Sequence, residues 1–244
     1  MANAADSQIV EIVPDGDVIL VVGPDKAKLR VKSMFLMVAS KPFSVMLGPY
    51  WKEGHDMRCH DGPFELSLPE DNATAMEIIC SVIHLQNGRI PRTIPAGDVL
   101  AIAIAGDKYD CLNALQFASK AWILKPKGKP PKDLMLLTAA AYIFGDAEAF
   151  NRATTALVLG CHDSYLALSD SELESIIPWS LFSMLEEQRG AARLKAADIL
   201  PCIHEQTESR ESLAGESPKY LHLDGAGKSK EDGRPAPNEP KRSV

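Results

Sequence analysis

The hydrophobic pattern of this chain changes period near residue 33, and that change limits the folds it can adopt. Before it, β-branched apolar residues form short runs separated by turn signals such as Pro-Asp-Gly at 14–16. The runs predict strands over 9–13, 17–23 and 28–32, which we expect to form an antiparallel meander. Beyond residue 33 most apolar residues recur at helical spacing. The pattern therefore predicts a mixed α/β fold with a small sheet near the N-terminus.

A dense apolar region over 33–48 follows the third predicted strand. Pro42 divides it into two short helices, and Ser40 is placed to cap the second one. One more strand is predicted over 63–68, where apolar and polar residues alternate. The apolar residues share one face of the strand, and that face would pack against the core.

A helix is predicted over 73–85, and either Asp71 or Asn72 could cap its N-terminus. This helix carries His84 among apolar neighbours. A single ionisable group in that setting is typical of a partly buried structural histidine, because nothing nearby in the sequence supplies a nucleophile for it to activate.

The polar cluster Gly-Asp-Lys-Tyr-Asp-Cys at 106–111 interrupts a long apolar helical run over 96–123. We interpret it as a joint between two helices, in which Tyr109 and Cys111 turn inward and Asp110 caps the second helix. The residues assigned to this structural joint are Asp107, Tyr109, Asp110 and Cys111.

The C-terminal half predicts no further strand. A proline- and lysine-rich linker covers 124–132, and a purely helical extension covers 133–204. From 205 to 244 glycine, proline, serine and charged residues dominate. That composition buries too little apolar surface to offset the entropy of ordering, so we expect a disordered tail.

Charge and cysteine usage restrict the class of protein. There are 26 lysines and arginines against 33 aspartates and glutamates, a net charge of −7. The balance gives no overall attraction to nucleic acid or membrane lipid, and only the lysines of 125–132 and the basic end at 240–244 favour a DNA-binding alternative. Five cysteines without a CxxC pair, and no signal-peptide pattern, predict reduced thiols in the cytoplasm or nucleus.

Two places in the sequence have side chains suited to metal binding or nucleophilic catalysis. The segment 55–61 gathers His55, Cys59, His60 and Asp61, but no second ligand cluster lies near it in sequence, which favours a solvated loop between a helix and a strand. Cys111 lies at a helix start, where its pKa could be lowered. We expect neither to act, and so predict a non-catalytic protein with no catalytic residue, metal, cofactor or small-molecule substrate. An enzyme using these Cys and His residues is the alternative.

The order of elements over 15–123 resembles the BTB/POZ domain, most closely that of fungal BTB-domain proteins, in which a "DKYDC"-type joint is common. The match is spread over the whole region. Its framework positions are Asp17, Leu36, Ser40, Phe43 and Met46. One position departs from the family, because Lys32 stands where a histidine usually precedes the first helix. The resemblance implies an α/β BTB fold, with a short antiparallel or mixed sheet flanked by helices and followed by an all-α, BACK-like extension.

The resemblance also implies a protein–protein interaction module that pairs with itself or with another BTB protein. Such dimers use the first helix and the N-terminal strands, and the segment 1–14 would hold the strand that some dimers exchange. The corresponding positions are Ile9, Glu11, Val13, Met34, Phe35, Met37 and Val38. Some family members are substrate adaptors of cullin-type ubiquitin ligases and carry a hydrophobic-x-Glu motif after the second short helix. Trp51 and Glu53 match that motif, which makes a cullin adaptor the second functional expectation.

Overall fold

The chain forms two compact units, residues 1–196 and 197–244. The computed structural model describes residues 8–59, 62–123, 128–161, 163–168 and 171–214, with side chains described at all of these except 166, 171–172 and 199–214. In the second unit the described residues belong to a helix. All sites discussed below lie in the first unit.

A four-stranded mixed sheet forms one part of the first unit, with strand order β1-β3-β2-β4. The strands are β1 (Val10–Glu11), β2 (Val18–Val22), β3 (Ala27–Val31) and β4 (Phe64–Leu68). Strands β2 and β3 are antiparallel, but β1 runs parallel to β3 and β4 runs parallel to β2. The expected antiparallel meander of the first three strands is therefore right for the pairing of β2 with β3 and wrong for β1, which pairs with β3 in parallel and not with β2.

The turn at 14–16 explains why β1 does not pair with β2. Gly16 lies so close to the end of β3 that a Cβ atom there would stand 2.6 Å from the Val31 carbonyl oxygen. The chain thus crosses the end of β3, so that β3 separates β1 from β2. Ile12, just after β1, is buried in the core, and its N–H donates to the Arg30 carbonyl at 3.0 Å.

Three short helices follow β3: α1 (Ser33–Ala39), α2 (Lys41–Met46) and α3 (Lys52–Cys59). The prediction that Ser40 caps α2 is confirmed, since its Oγ accepts the Phe43 N–H at 3.1 Å. Helix α3 was not expected, because its segment was interpreted as a loop. It packs through Gly54, where a Cβ atom would lie 1.9 Å from the Gly48 carbonyl oxygen.

The next helices are α4 (Ala73–Ile83), α5 (Ala96–Lys108) and α6 (Leu112–Ile123), with a 3-10 turn at Asn87–Arg89. Of the two candidate caps for α4, Asn72 takes the role, since its Oδ1 accepts the Ala75 N–H at 2.9 Å. Asp71 is therefore free to form other contacts.

The helical extension contains α7 (Pro131–Ile143), α8 (Ala147–Gly160), α9 (Ser171–Ile176) and α10 (Trp179–Ala214), with a 3-10 turn at Tyr165–Leu168. Residues 124–127 of the predicted linker lie outside the described residues, and α7 begins within the linker's last two positions. Helix α10 passes the predicted tail boundary at 205 without a break. The rest of the predicted tail, 215–244, lies outside the described residues.

One hydrophobic core extends through the first unit. It contains the inward side chains of β2 and β3, the apolar faces of α4 and α5, and Leu134, Met135 and Leu137 of α7. Helix α7 packs directly on α5, so the sheet region and the helical extension share this core. No helix in the described ranges is long and apolar enough to cross a membrane.

Candidate functional site

Helix α1 presents an exposed apolar surface, formed by Met34, Phe35 and Val38, which we call the α1 face. Val38 is 85% exposed and Met34 57% exposed, whereas Leu36 on the opposite side is fully buried. The helix contains no charged residue from Ser33 to Ala39. An uncharged apolar face of this kind can bury area against another protein without removing a charge from water.

The N-terminus of α1 is held by Asp17, which stands just before β2. The Ser33 N–H donates to Oδ1 of Asp17 at 2.7 Å, and the Ser33 hydroxyl donates to Oδ2 at 2.8 Å. Partial burial pushes the pKa of Asp17 upward, but these two hydrogen bonds and the nearby Lys32 charge outweigh it and lower the pKa overall. The carboxylate therefore anchors the first turn of α1 in its charged form.

His84, at the C-terminal end of α4, holds α1 from a second side. Its Nε2 accepts the Lys32 N–H at 3.0 Å, so Nδ1 carries the proton and donates to the Cys80 carbonyl at 2.7 Å. Its ring also lies 5.1 Å from that of Phe35. Burial lowers the pKa of His84, which suits the neutral form that these bonds require. A histidine from α4 thus contacts the backbone of Lys32, just before α1.

The N-terminal strand is tied to its own chain. Ile9 is exposed and Val13 is half-buried, while the Glu11 carboxylate pairs with Arg30 at 3.3 Å. The Arg89 guanidinium donates to the Glu11 carbonyl at 2.7 Å. Met37, the remaining residue assigned to the dimer surface, packs partly against the core. It therefore adds less to the exposed α1 face than Met34, Phe35 and Val38 do.

The polar cluster at 106–111 is a structural joint between α5 and α6. The Tyr109 hydroxyl donates to Asp71 at 2.6 Å, and Lys108 contacts the other Asp71 oxygen at 2.7 Å. The Ser40 hydroxyl donates to the Tyr109 carbonyl at 2.6 Å, and the Tyr109 ring stacks on Phe43 with 4.5 Å between centroids. These contacts connect α5 to α2 and to the start of α4.

One expectation for the joint, the cap by Asp110, is wrong, whereas Cys111 turns inward as expected. Helix α6 begins at Leu112, so the cap position is residue 111, and Asp110 instead has a left-handed backbone with φ of 48°. The pKa of Cys111 is raised to about 11, by burial first and by the Asp110 charge second. The position at a helix start does not lower it, because the thiol is turned into the core together with Tyr109. Asp107 is exposed.

A second surface lies between α2, α3 and the joint, and we call it the Trp51 groove. It has a volume of about 430 Å³ and is lined by Lys41, Pro42, Val45, Met46, Trp51 and Asp110. Trp51 is 55% exposed and is not part of the core. Glu53, two residues later, has a buried Oε2 atom without a hydrogen-bond partner among the described residues. The groove is apolar at its centre and carries one charge of each sign in its lining.

Only part of the segment considered for metal binding is described by the structure. His55 and Cys59 share an exposed side of α3, with 3.9 Å between Nδ1 and Sγ, and His60 and Asp61 lie outside the described residues. Among the residues that the structure describes, no group of three or more histidine, cysteine or acidic side chains could hold a metal ion.

None of the known protein-family models matches this chain, and no curated protein is significantly similar to it in sequence. The two apolar surfaces described above are thus the features from which a function can be argued.

Proposed function

We propose that this protein is a BTB/POZ-type interaction module, without catalytic activity, that self-associates through the α1 face. The observation that carries the proposal is the exposed, uncharged surface of Met34, Phe35 and Val38 on a helix anchored from two sides. Such a helix is held in place before any partner arrives, so association does not have to order it. A related BTB protein is the alternative partner.

Framework positions of the resemblance have structural roles that support this proposal. Asp17 and Ser40 satisfy the first turns of α1 and α2, respectively. Leu36 and Phe43 are buried in the core, and Met46 packs partly against it. Two of these framework residues, Asp17 and Leu36, thus hold α1 in place, and the other three hold α2.

The charge distribution favours a second copy as the partner. With a net charge of −7, two copies repel each other over most of their surfaces. The α1 face carries no charge, so two copies related by a twofold axis can bring it together without opposing like charges. Burial of each side chain contributes roughly 1.5–3 kcal/mol, against about 4–15 kcal/mol of lost freedom. Three side chains from each copy cover the lower part of that range, and apolar residues beside α1 are needed to cover its upper part.

The test is the solution mass of the protein, measured by light scattering after size exclusion from micromolar to tens of micromolar concentration. We expect a dimer for the wild type and a monomer for Val38→Glu. The matched control is Leu159→Glu, which places the same charge at an exposed apolar residue on α8 and should leave the dimer intact. A wild-type monomer throughout this range would contradict the proposal.

A second candidate function is substrate adaptor for a cullin-type ubiquitin ligase. The Trp51 groove favours it, because a half-exposed tryptophan beside an apolar groove is a common anchor at protein interfaces. The test is co-purification with a cullin. Trp51→Ala and Glu53→Ala should abolish it, whereas Tyr50→Ala, which truncates an adjacent and almost fully exposed aromatic residue, should not. Absence of a cullin with the wild type would remove this candidate.

A further inference from the structure

Three helices of the protein end in the same backbone motif. In α4, α5 and α7 the second residue after the helix has a left-handed backbone, and the next N–H donates back into the last turn. These second residues are Leu85 with φ of 59°, Asp110 with φ of 48° and Gly145 with φ of 65°. The closing hydrogen bonds run from Gln86 to Ser81, from Cys111 to Gly106 and from Asp146 to Ala141, at 2.8 to 3.0 Å.

Leu85 is the unusual member of this set. Glycine adopts the left-handed region without a steric penalty, and aspartate is among the side chains that tolerate it, whereas leucine does so rarely. Leu85 is also 73% exposed, so no core packing against the residues that the structure describes offsets the strain. If the described unit were alone in water, a different residue at position 85 would relieve the backbone strain and would avoid exposing an apolar side chain.

The position of Leu85 between two contact residues indicates a role for its side chain. The preceding residue, His84, contacts α1 through the Lys32 N–H and the Phe35 ring. Four residues after Leu85, Arg89 contacts β1 through the Glu11 carbonyl. The segment 84–89 therefore bridges the two elements to which the dimer surface is assigned, and Leu85 lies within that bridge.

We propose that Leu85 is a contact residue of the self-association surface, and that it packs against a second copy of this chain beside the α1 face. This inference rests on the proposed function. It supplies part of the additional apolar area that the α1 face needs. The segment from His84, held neutral by its two hydrogen bonds, to Gly88 carries no charge, so the uncharged surface of α1 continues through it. The flanking charges of Lys32 and Arg89 are paired with Asp15 at 3.7 Å and Glu77 at 3.5 Å, which reduces like-charge repulsion when a copy of the same surface approaches.

Leu85→Gly tests the proposal, because it should move stability and association in opposite directions. Removing the strained side chain should raise the melting temperature by about 2–4 °C when it is measured below the dissociation constant, where both proteins are monomers and dimerisation does not contribute to the melting temperature. Losing a buried leucine contact should raise the dissociation constant of the dimer roughly tenfold or more. Leu85→Asn, which tolerates the same backbone but is polar, should weaken the dimer to a similar extent.

Asp110→Gly is the matched control. It relieves the same backbone conformation at the end of α5, where Asp110 lines the Trp51 groove. It should raise the melting temperature and leave the dissociation constant unchanged. A wild-type dimer whose dissociation constant is unaltered in Leu85→Gly would overturn the role of Leu85 and leave the proposed function standing. A monomeric wild type would overturn the proposed function, and the role of Leu85 with it.

Discussion

The hydroxyl of Tyr109 donates a 2.6 Å hydrogen bond to the buried carboxylate of Asp71. Lys108 holds the second oxygen of the same carboxylate at 2.7 Å. Through this pair the end of α5 is fixed to the start of α4, and the stacked Phe43 ring connects both to α2. Burial, followed by the bond to Asp71, raises the pKa of Tyr109 far above its ordinary range, so the hydroxyl stays a donor at every working pH.

Tyr109→Phe should lower the free energy of unfolding by about 1–3 kcal/mol, because one oxygen of a buried carboxylate loses its donor while the ring stacking is kept. Urea unfolding followed by circular dichroism measures the change. Tyr142→Phe, which removes the hydroxyl from a half-exposed tyrosine on α7, is the control and should change stability little. Equal effects of the two substitutions would show that the Asp71 contact contributes nothing specific.

Stability should fall as the pH falls below about 6.5, the ordinary pKa of histidine. The folded-state pKa of His84 is lowered, so between the two pKa values the unfolded chain binds the proton more readily than the folded one. The contribution of His84 is therefore fully present above pH 6.5 and is lost as the pH falls through its folded pKa. Urea unfolding at a series of pH values measures the slope.

His84→Gln isolates that effect, since the Gln amide oxygen can accept the Lys32 N–H but does not titrate. The slope between pH 6.5 and the folded pKa should flatten in this variant, and an unchanged slope would assign it to another group. A separate loss is expected in more acidic solution from Asp17. Its pKa is lowered from 3.8, so its contribution is present above that value and is lost as the pH falls through the lower folded pKa.

Brief alkylation of the folded protein at neutral pH should modify Cys59 and spare Cys80, Cys111 and Cys161. Cys59 is the exposed cysteine of these four, and the other three are buried. Burial, the largest cause in each case, raises the pKa of Cys111 to about 11 and that of Cys80 still further, which leaves little thiolate to react. Peptide mass spectrometry identifies the modified sites. Rapid modification of Cys111 in the folded state would revive the enzyme alternative.

Gly54→Ala should destabilise the protein and disrupt the Trp51 groove. The new methyl group would meet the Gly48 and Leu47 carbonyl oxygens at 1.9 and 2.5 Å, so α3 has to move away from α2. A loss of about 1–3 kcal/mol is the usual size of such overpacking, and thermal unfolding measures it. Gly190→Ala, at an exposed helical position with open space around the new methyl group, should instead stabilise by roughly 0.5–1 kcal/mol.

Features set by local chemistry could be predicted from the sequence, and those set by long-range packing could not. Ser40 caps α2 as expected, because the cap depends on the backbone three residues away. The parallel pairing of β1 depends on the contact between Gly16 and Val31, which no local pattern encodes. Helix α3 escaped prediction because few apolar residues mark it, and its close packing at Gly54 is again a contact with another element.

The candidate site shows the same division. The resemblance pointed to residues 34, 35, 37 and 38 of α1, and the structure places 34, 35 and 38 on its exposed side, whereas Met37 packs partly against the core. The sequence did not reveal that His84 and Asp17 anchor this helix, because both contacts join residues that are distant along the chain. Leu85 gave no signal either, since an exposed leucine becomes unusual only when its backbone angle is known.

The shared core of α5 and α7 limits how this domain could be exchanged between proteins during evolution. A gene segment ending after residue 123 would encode a sheet region with the α7-facing side of α5 uncovered, and that side is apolar. Recombination that preserves function would therefore have to include α7, even though the proline-rich stretch before α7 has the composition of a domain linker. For this chain the smallest segment that can be exchanged in this way is larger than the segment that resembles a known domain.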